Sequence, residues 1–332
     1  GWGRLMIVLA DIGGTNIRLA VQDEQTPHSE LDAIESLPCS DFASVEQALA
    51  SYCERRRIRP EALLLAVAAD LHGDEVTITN NHWRFQGVSA ARACGASRYM
   101  LINDFCAQAL AHADLLAPDG AAARAGARQI IRQGTPRPQT PLLVSGPGTG
   151  LGVAAIMPVG DDVAVIEGEG GHVSFAARHA DERAVLDVLQ KQWGHVSAER
   201  FVSGPGLESI YHVMTGEAGK TAAEIGAAAI TADGAARDAV ALMQRAFATA
   251  LANAALTFGA GSGIVIAGGI MPKLIELLPT SGFFERLGDH GRRSQFLHDL
   301  PLYLSVDPYA GLSGAAVAAK TAHLAHRWRP VA

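Results

Sequence analysis

Residues 5–10 form an unbroken apolar run, residues 11–16 turn polar and glycine-rich, and residues 18–22 return to apolar positions. That pattern predicts two strands on either side of a bend. From 42 to 55, Val45, Ala48, Leu49 and Tyr52 fall at helical spacing. Residues 63–68 read as a buried strand, 76–79 as a shorter one and 99–102 as a third, ending at Asn103 and Asp104 before a helix over 107–112. Strands and helices interleave, which favours an α/β class. A second round opens with PLLVSGPGTGLGVAAIM, again a strand, a glycine-rich turn and a strand. IVIAGGI then reads as a buried strand running into a glycine pair, and a last helix is predicted from about residue 312. The strand, turn and strand unit occurs once in each half, so the pattern suggests an internal repeat of low sequence identity.

A chain of 332 residues exceeds a typical single core and favours two domains. The crossing is expected in 117–140, where alanine and arginine give way to Pro136, Arg137 and Pro138. With 48% hydrophobic and 18% charged residues the chain can fill a sizeable core and is not of the disordered class. A net charge of −7 argues against a general nucleic-acid binder, and the short run Arg55, Arg56, Arg57 with Arg59 reads as a solvated helix end. Cys39, Cys53, Cys94 and Cys106 show neither CxxC spacing nor pairing with His, so no zinc site or disulfide framework is expected and a reducing cytoplasm fits best. The run 5–10 is too brief for a signal-peptide core. No membrane span is expected either, because the alanine-rich stretch 241–255 is interrupted by Gln244, Arg245 and Asn253.

The sequence DIGGTN at Asp11 carries more polar and flexible residues than a plain hairpin turn requires. Glycine lets backbone N–H groups approach a phosphate closely, and Thr15, Asn16 and, in the second turn, Thr149 add neutral donors. One reading is that two related loops are offered to one polyphosphate; the other is a chance echo between common glycine-rich turns. There is no GxxxxGK[ST], and no glycine loop passes from a first strand directly into a helix with an acid about twenty residues on.

DIGGTN at Asp11, TNNHWRF at Thr79, LINDF at Leu101, GPGTGLG at Gly146, GEGGHVSF at Gly168, GHVSAERFVSGPGL at Gly194 and IAGGI at Ile266 occur in the order seen in a known family. Over nearly its whole length the chain resembles the bacterial glucokinases of the hexokinase, actin and heat-shock ATPase superfamily. The resemblance implies an α/β, two-lobed actin-like ATPase (ribonuclease H-like) fold with a central cleft. It implies a small lobe of 1–115 plus about 310–332, carrying the first phosphate loop and the catalytic Asp. The large lobe, 116–309, would carry the second phosphate loop, the sugar-binding residues and the adenosine motif. Closure of the cleft over sugar and nucleotide would exclude water that would otherwise be phosphorylated. The implied activity is ATP-dependent phosphorylation of the 6-hydroxyl of glucose to glucose 6-phosphate, with ATP and Mg2+, in a cytoplasmic homodimer without nucleic-acid or membrane partners.

Phosphoryl transfer to an alcohol needs a carboxylate in reach of the attacking hydroxyl. Asp104 sits where it can serve as that base or as a helix N-cap, and residue type alone does not choose; the resemblance assigns it the base and gives Asn103 a sugar hydroxyl. Glu169 and His172 have a spacing that could be a metal pair on a helix, but three glycines in five residues disfavour a helix. An irregular loop presenting them to a polyhydroxylated ligand, or a plain exposed turn, remains; the resemblance places both on the sugar. Glu199 on an amphipathic helix is usually solvated, yet the matching motif assigns it to the sugar as well, while His195 reads as structural. For the nucleotide the resemblance points to Asp11, Gly13, Gly14, Thr15, Asn16, Gly148, Thr149 and Gly150, with Gly268 and Gly269 under the adenosine. Asp11 is expected near magnesium through water, because that ion keeps part of its hydration shell.

Two departures from the family pattern stand out. AVAADLHGD follows the strand at Leu63 where relatives carry a proline and a threonine, and Pro147 occupies the second phosphate loop, where it removes one possible N–H donor. Alternatives are a kinase for mannose, fructose or an N-acetylated hexosamine, and a sugar-binding regulator without useful catalysis. The regulator is disfavoured because the first strand starts so early that no DNA-binding module is expected ahead of it, and because Asp104 is intact.

Overall fold

The structure, a computed structural model, describes residues 5–24, 31–117, 124 and 126–332. It separates into two units, one drawn from Gly1–Ala125, Pro158–Val165 and Asp307–Ala332, the other from Gly126–Met157 and Ile166–Val306.

In the first unit the opening hairpin is formed by β1 (Met6–Ile12) and β2 (Asn16–Asp23), with Met6 opposite Asp23 and Ile12 opposite Ile17. β3 (Asp32–Pro38) pairs antiparallel with β2, and its alternation of exposed and half-buried positions marks a sheet edge. α1 (Val45–Arg56) starts where Ser44 accepts the Gln47 N–H and stops where Arg57 turns left-handed at φ 55°. The basic residues at this end are surface groups: Arg55 and Arg56 both pair with Glu35. β4 (Ala62–Val67) is buried at every position, as a strand covered on both faces must be, and runs parallel to β1. A small antiparallel pair, β5 (Glu75–Thr77) and β6 (Arg84–Gln86), leads into α2 (Gly87–Cys94) and then β7 (Arg98–Asn103), parallel to β4. α3 (Asp104–Leu110) begins three residues earlier than the apolar pattern predicts. The two-residue strand Arg329–Pro330 closes the other edge, antiparallel to β7. Val8, Ile12, Leu63, Leu65, Leu49 and Trp83 belong to one buried core of this unit. Helix Ala310–Lys320 packs on α3 and β1, so closely that a side chain at Gly314 would overlap the Ala107 carbonyl.

The second sheet is built on β8 (Arg128–Arg132), β9 (Leu142–Pro147), β10 (Leu151–Val159), β11 (Asp162–Glu167), β12 (Gly263–Ile266) and β13 (Leu302–Ser305), in the order β11, β10, β9, β12, β13, β8. The first sheet, from β3 through β2, β1, β4 and β7 to the 329–330 strand, has the same plan: a central hairpin, two parallel neighbours and an antiparallel closing strand. The repeat suggested by two glycine turns is therefore a repeat of topology. β8 lies inside 117–140, the stretch expected to be a crossing; part of that stretch falls outside the described residues. Helices α4 (Ala180–Trp193), α5 (Ala198–Phe201), α6 (Gly204–Thr215), α7 (Ala222–Thr231) and α8 (Ala235–Phe258) follow β11.

α8 corrects the expectation that no segment is long and apolar enough to span a membrane. At 24 residues it passes on length and composition, because its charges are few. Two thirds of its most apolar window (67%) is nevertheless buried in the fold, where Leu242, Phe247 and Leu251 belong to the same core as Leu207 and Ile210 of α6. A fully buried ion pair spans the same region: Arg286 donates to both carboxylate oxygens of Glu182, at 2.6 and 2.8 Å, and to Thr249.

Candidate active site

The candidate residues form two clusters, one in each unit. In the first, the turn between β1 and β2 is closed by the Gly13 N–H donating to the Asn16 carbonyl at 3.0 Å. Asp11, the sixth residue of β1, stands opposite Arg18, whose Nη1 lies 3.6 Å from its carboxylate. Gly311 of the 310–320 helix backs the same carboxylate, leaving no room for a side chain at that position. Burial pushes the Asp11 carboxyl above its ordinary range, and Arg18 opposes that shift.

Asn103 and Asp104 sit at the β7 to α3 junction. The N-cap is Asn103, not Asp104: its Oδ1 accepts the Phe105 N–H at 2.9 Å while its Nδ2 donates to the Ala69 carbonyl at 3.2 Å. Asp104, freed from capping, is the first helical residue. Its carboxyl is pushed up to about 6 by burial and then by the charge of Asp11, against the backbone N–H groups of Phe105 and Asp104. Two hard carboxylates, both raised by burial and one of them further by the charge of the other, suit a divalent cation, which would relieve both. A cavity of about 530 Å³ opens at the glycine turn, lined by Gly14, Thr15, Cys39, Ser40, Asn80 and His82 among others.

In the second cluster, Glu169, His172 and Glu199 converge. His172 Nε2 is 3.9 Å from Glu169 Oε2 and 4.0 Å from Glu199 Oε2. The segment from Gly170 to His172 is a single 3-10 turn, as the glycines dictate, and a side chain at Gly171 would overlap the Leu151 carbonyl. His195 Nε2 donates to the His172 carbonyl at 2.9 Å, the bracing role that a structural His there implies. Glu199 lies on the four-residue α5, capped by Ser197, and its Oε2 accepts the Leu151 N–H at 2.8 Å. A Cβ at Gly150 would stand 2.5 Å from that oxygen, so only glycine lets the turn after β9 approach it.

The turn Gly148 to Gly150 is tied down at both ends. Gly148 N–H donates to the Gly150 carbonyl, and Gly204 N–H at the start of α6 donates to the Gly148 carbonyl, each at 2.8 Å. Pro147 is the last residue of β9, in register opposite Leu151, and so ends a strand where the sequence places it in the loop. Gly268 has φ +84° and a Cβ there would stand 2.5 Å from the Pro147 carbonyl oxygen, which requires glycine, while Gly269 faces open space. Sequence reasoning did not single out Arg18, Gly311 or the Leu151 N–H. Arg18 is legible only once its register opposite Asp11 is known, and the other two only once the fold brings distant segments together.

His179, Asp181 and Glu182 also lie close enough to one another to hold a metal ion, but Arg286 and Arg245 already neutralise the two acids.

Two sheets of one strand plan, each with a glycine turn on its central hairpin and carboxylates nearby, define the actin-like ATPase fold. Residues 8–322 match the family model described as Glucokinase. The glucokinase of Chromobacterium violaceum is 37% identical, covering 99% of this chain and 91% of its own, and that of Pectobacterium atrosepticum is 35% identical, covering 93% and 95%. A crystal structure of glucokinase from an Antarctic psychrotroph superposes with a TM-score of 0.80 at 31% identity, over 94% of this chain and 98% of that one. The chain belongs to the glucokinase family.

Proposed function

We propose that this protein is an ATP-dependent glucokinase that converts glucose to glucose 6-phosphate with release of ADP. The observation that carries the reading is Asp104: a buried carboxyl poised at about 6, beside a second acid, on the helix that follows a glycine-turn sheet. A base with that proton affinity is ionised at neutral pH yet strong enough to draw the proton from an alcohol as it attacks. In the reaction the 6-oxygen of the sugar bonds to the γ-phosphorus, its proton passes to Asp104, and the bond to the bridging oxygen of ADP breaks.

Asn103, Glu169, His172 and Glu199 are proposed to hold sugar hydroxyls. Glu199 supports this with one oxygen fixed by Leu151 and the other left for a ligand. Gly13, Gly14, Thr15 and Asn16, with Gly148, Thr149 and Gly150, are proposed to bind the phosphates, and Gly268 and Gly269 the adenosine. Asp11 would hold magnesium through water; the ion, when bound, neutralises phosphate charge. The proposed division of labour gives the loop and base to 1–115 with about 310–332, and sugar and adenosine binding to 116–309. The family resemblance supports a homodimer, to be checked by sedimentation velocity. Four buried cysteines, none in a disulfide, support a reducing, cytoplasmic setting.

The test is ADP release in a coupled assay with ATP and magnesium, across glucose, mannose, fructose, N-acetylglucosamine and no sugar. Selective turnover with glucose is expected. Turnover with another of these sugars would move the substrate and keep the mechanism, and no sugar-dependent turnover would overturn the kinase reading.

A further inference from the structure

The segment from Thr79 to Trp83 belongs to none of the roles assigned above, yet it lies directly behind the first glycine turn. Thr79 N–H donates to the Ala68 carbonyl, and Ala68 N–H donates to the Ile12 carbonyl, each at 3.1 Å. Trp83 anchors the other end in the core, 2% exposed, with its indole N–H on the Phe42 carbonyl. Between these anchors Asn80 adopts φ 60°, a left-handed conformation that asparagine tolerates and most residues do not. A Cβ at Gly14 would lie 3.2 Å from the Thr79 carbonyl and 3.3 Å from Asn80 Cβ, so the turn rests on this segment as on a floor.

Asn81 makes the polar link. Its Oδ1 accepts the Trp83 N–H at 2.9 Å, which orients the amide, and its Nδ2 donates to the Gly13 carbonyl at 3.4 Å. The Cys39 thiol donates to the same carbonyl at 3.9 Å, and the Cys39 N–H holds the Thr15 carbonyl at 2.8 Å. The Gly13 carbonyl and the Gly14 N–H belong to one planar trans peptide and point in opposite directions. Drawing the carbonyl back toward Asn81 therefore turns the Gly14 N–H away from the floor. Without that pull the peptide could rotate, and glycine on both sides would offer little resistance.

We propose that Asn81 is a positioning residue for nucleotide binding: by holding the Gly13 carbonyl it aims the Gly14 N–H at a phosphate oxygen. The inference rests on the reading of this turn as a phosphate loop. The experiment keeps the two apart. Protein labelled with 13C,15N-glycine gives carbonyl-to-amide cross-peaks for the glycine pairs 13–14, 170–171 and 268–269 alone. These are followed on titration with a non-hydrolysable ATP analogue in wild type, Asn81→Ala and Asn81→Asp. The aspartate keeps the acceptor for Trp83 and loses the donor to Gly13, so it guards against a simple folding defect.

In wild type the 13–14 peak should move on binding. In both variants it should move little, with analogue affinity weakened about tenfold, the scale of a hydrogen bond to a charged group, and glucose affinity unchanged. Wild-type shifts and affinity in both variants would overturn the role of Asn81 while leaving the loop reading standing. A 13–14 peak that ignores bound analogue in wild type would overturn the loop reading and the inference with it.

Discussion

Replacing Asp104 with Asn should make the protein more stable while removing most of its turnover. The carboxyl is raised from 3.8 to about 6, so the folded state binds this proton more tightly than the unfolded state does. At roughly 1.36 kcal/mol per unit, keeping Asp104 ionised costs the fold up to about 3 kcal/mol. The cost is absent below the unfolded value of 3.8, grows as pH rises toward 6, and is complete above it. A neutral amide of nearly the same shape does not incur it. Urea unfolding of wild type and Asp104→Asn at pH 7.5 should therefore separate the two by as much as about 3 kcal/mol, with the variant more stable. Near pH 4.5 the gap should close most of the way. Because Asp11 supplies part of the shift, the gain should also shrink in an Asp11→Asn background. Turnover should fall by about 10²- to 10⁴-fold, the usual contribution of a general base. A variant no more stable than wild type at pH 7.5, or a gap that ignores pH, would refute the argument that burial and Asp11 set this group.

Three further outcomes follow from the geometry. The acid limb of kcat/KM for the free enzyme should bend near pH 6, leaving about a tenth of the plateau at pH 5; a flat profile there would remove Asp104 as the ionising base. Arg286→Met leaves Glu182 buried without its guanidinium partner and should lower stability by about 3–5 kcal/mol, whereas Glu182→Leu with Arg286→Met should recover most of it; calorimetry of the two variants decides. Gly150→Ala pushes a methyl into the Glu199 carboxylate and should raise KM for the sugar about tenfold, the scale of one lost hydrogen bond to a charged group, with the melting temperature nearly unchanged; steady-state kinetics checks it.

Much of the frame is legible in the apolar pattern because β1, β4 and β7 are covered on both faces and must read as hydrophobic runs. β3 is hidden for the opposite reason: an edge strand of sequence DAIESLP has half its positions exposed and ends in proline, so nothing in its periodicity separates it from a loop. Asn103 and Asp104 show a finer limit. Both favour a cap, and only the backbone reveals that asparagine takes it and leaves the aspartate carboxylate out of the capping. Glu182 reads as an ordinary acidic residue in the first turn of a helix, yet it is wholly buried because its partner Arg286 comes from 104 positions later. Tertiary partners of that kind leave no local trace. The same holds for the Leu151 amide, which becomes a site feature only because α5 brings Glu199 to it.

That last contact has a thermodynamic consequence. One carboxylate touches both the turn after β9 and the ground around His172, so, with phosphates and sugar bound as proposed above, a ligand that shifts the Leu151 amide is expected to change how Glu199 meets the second ligand. Heterotropic coupling between two occupants is reciprocal: the factor by which the first alters affinity for the second equals the factor by which the second alters affinity for the first. A binding isotherm for one ligand, repeated at saturation with the other, reads the coupling through this single side chain, and Glu199→Gln, which weakens the acceptor without removing it, should diminish that factor in both directions equally.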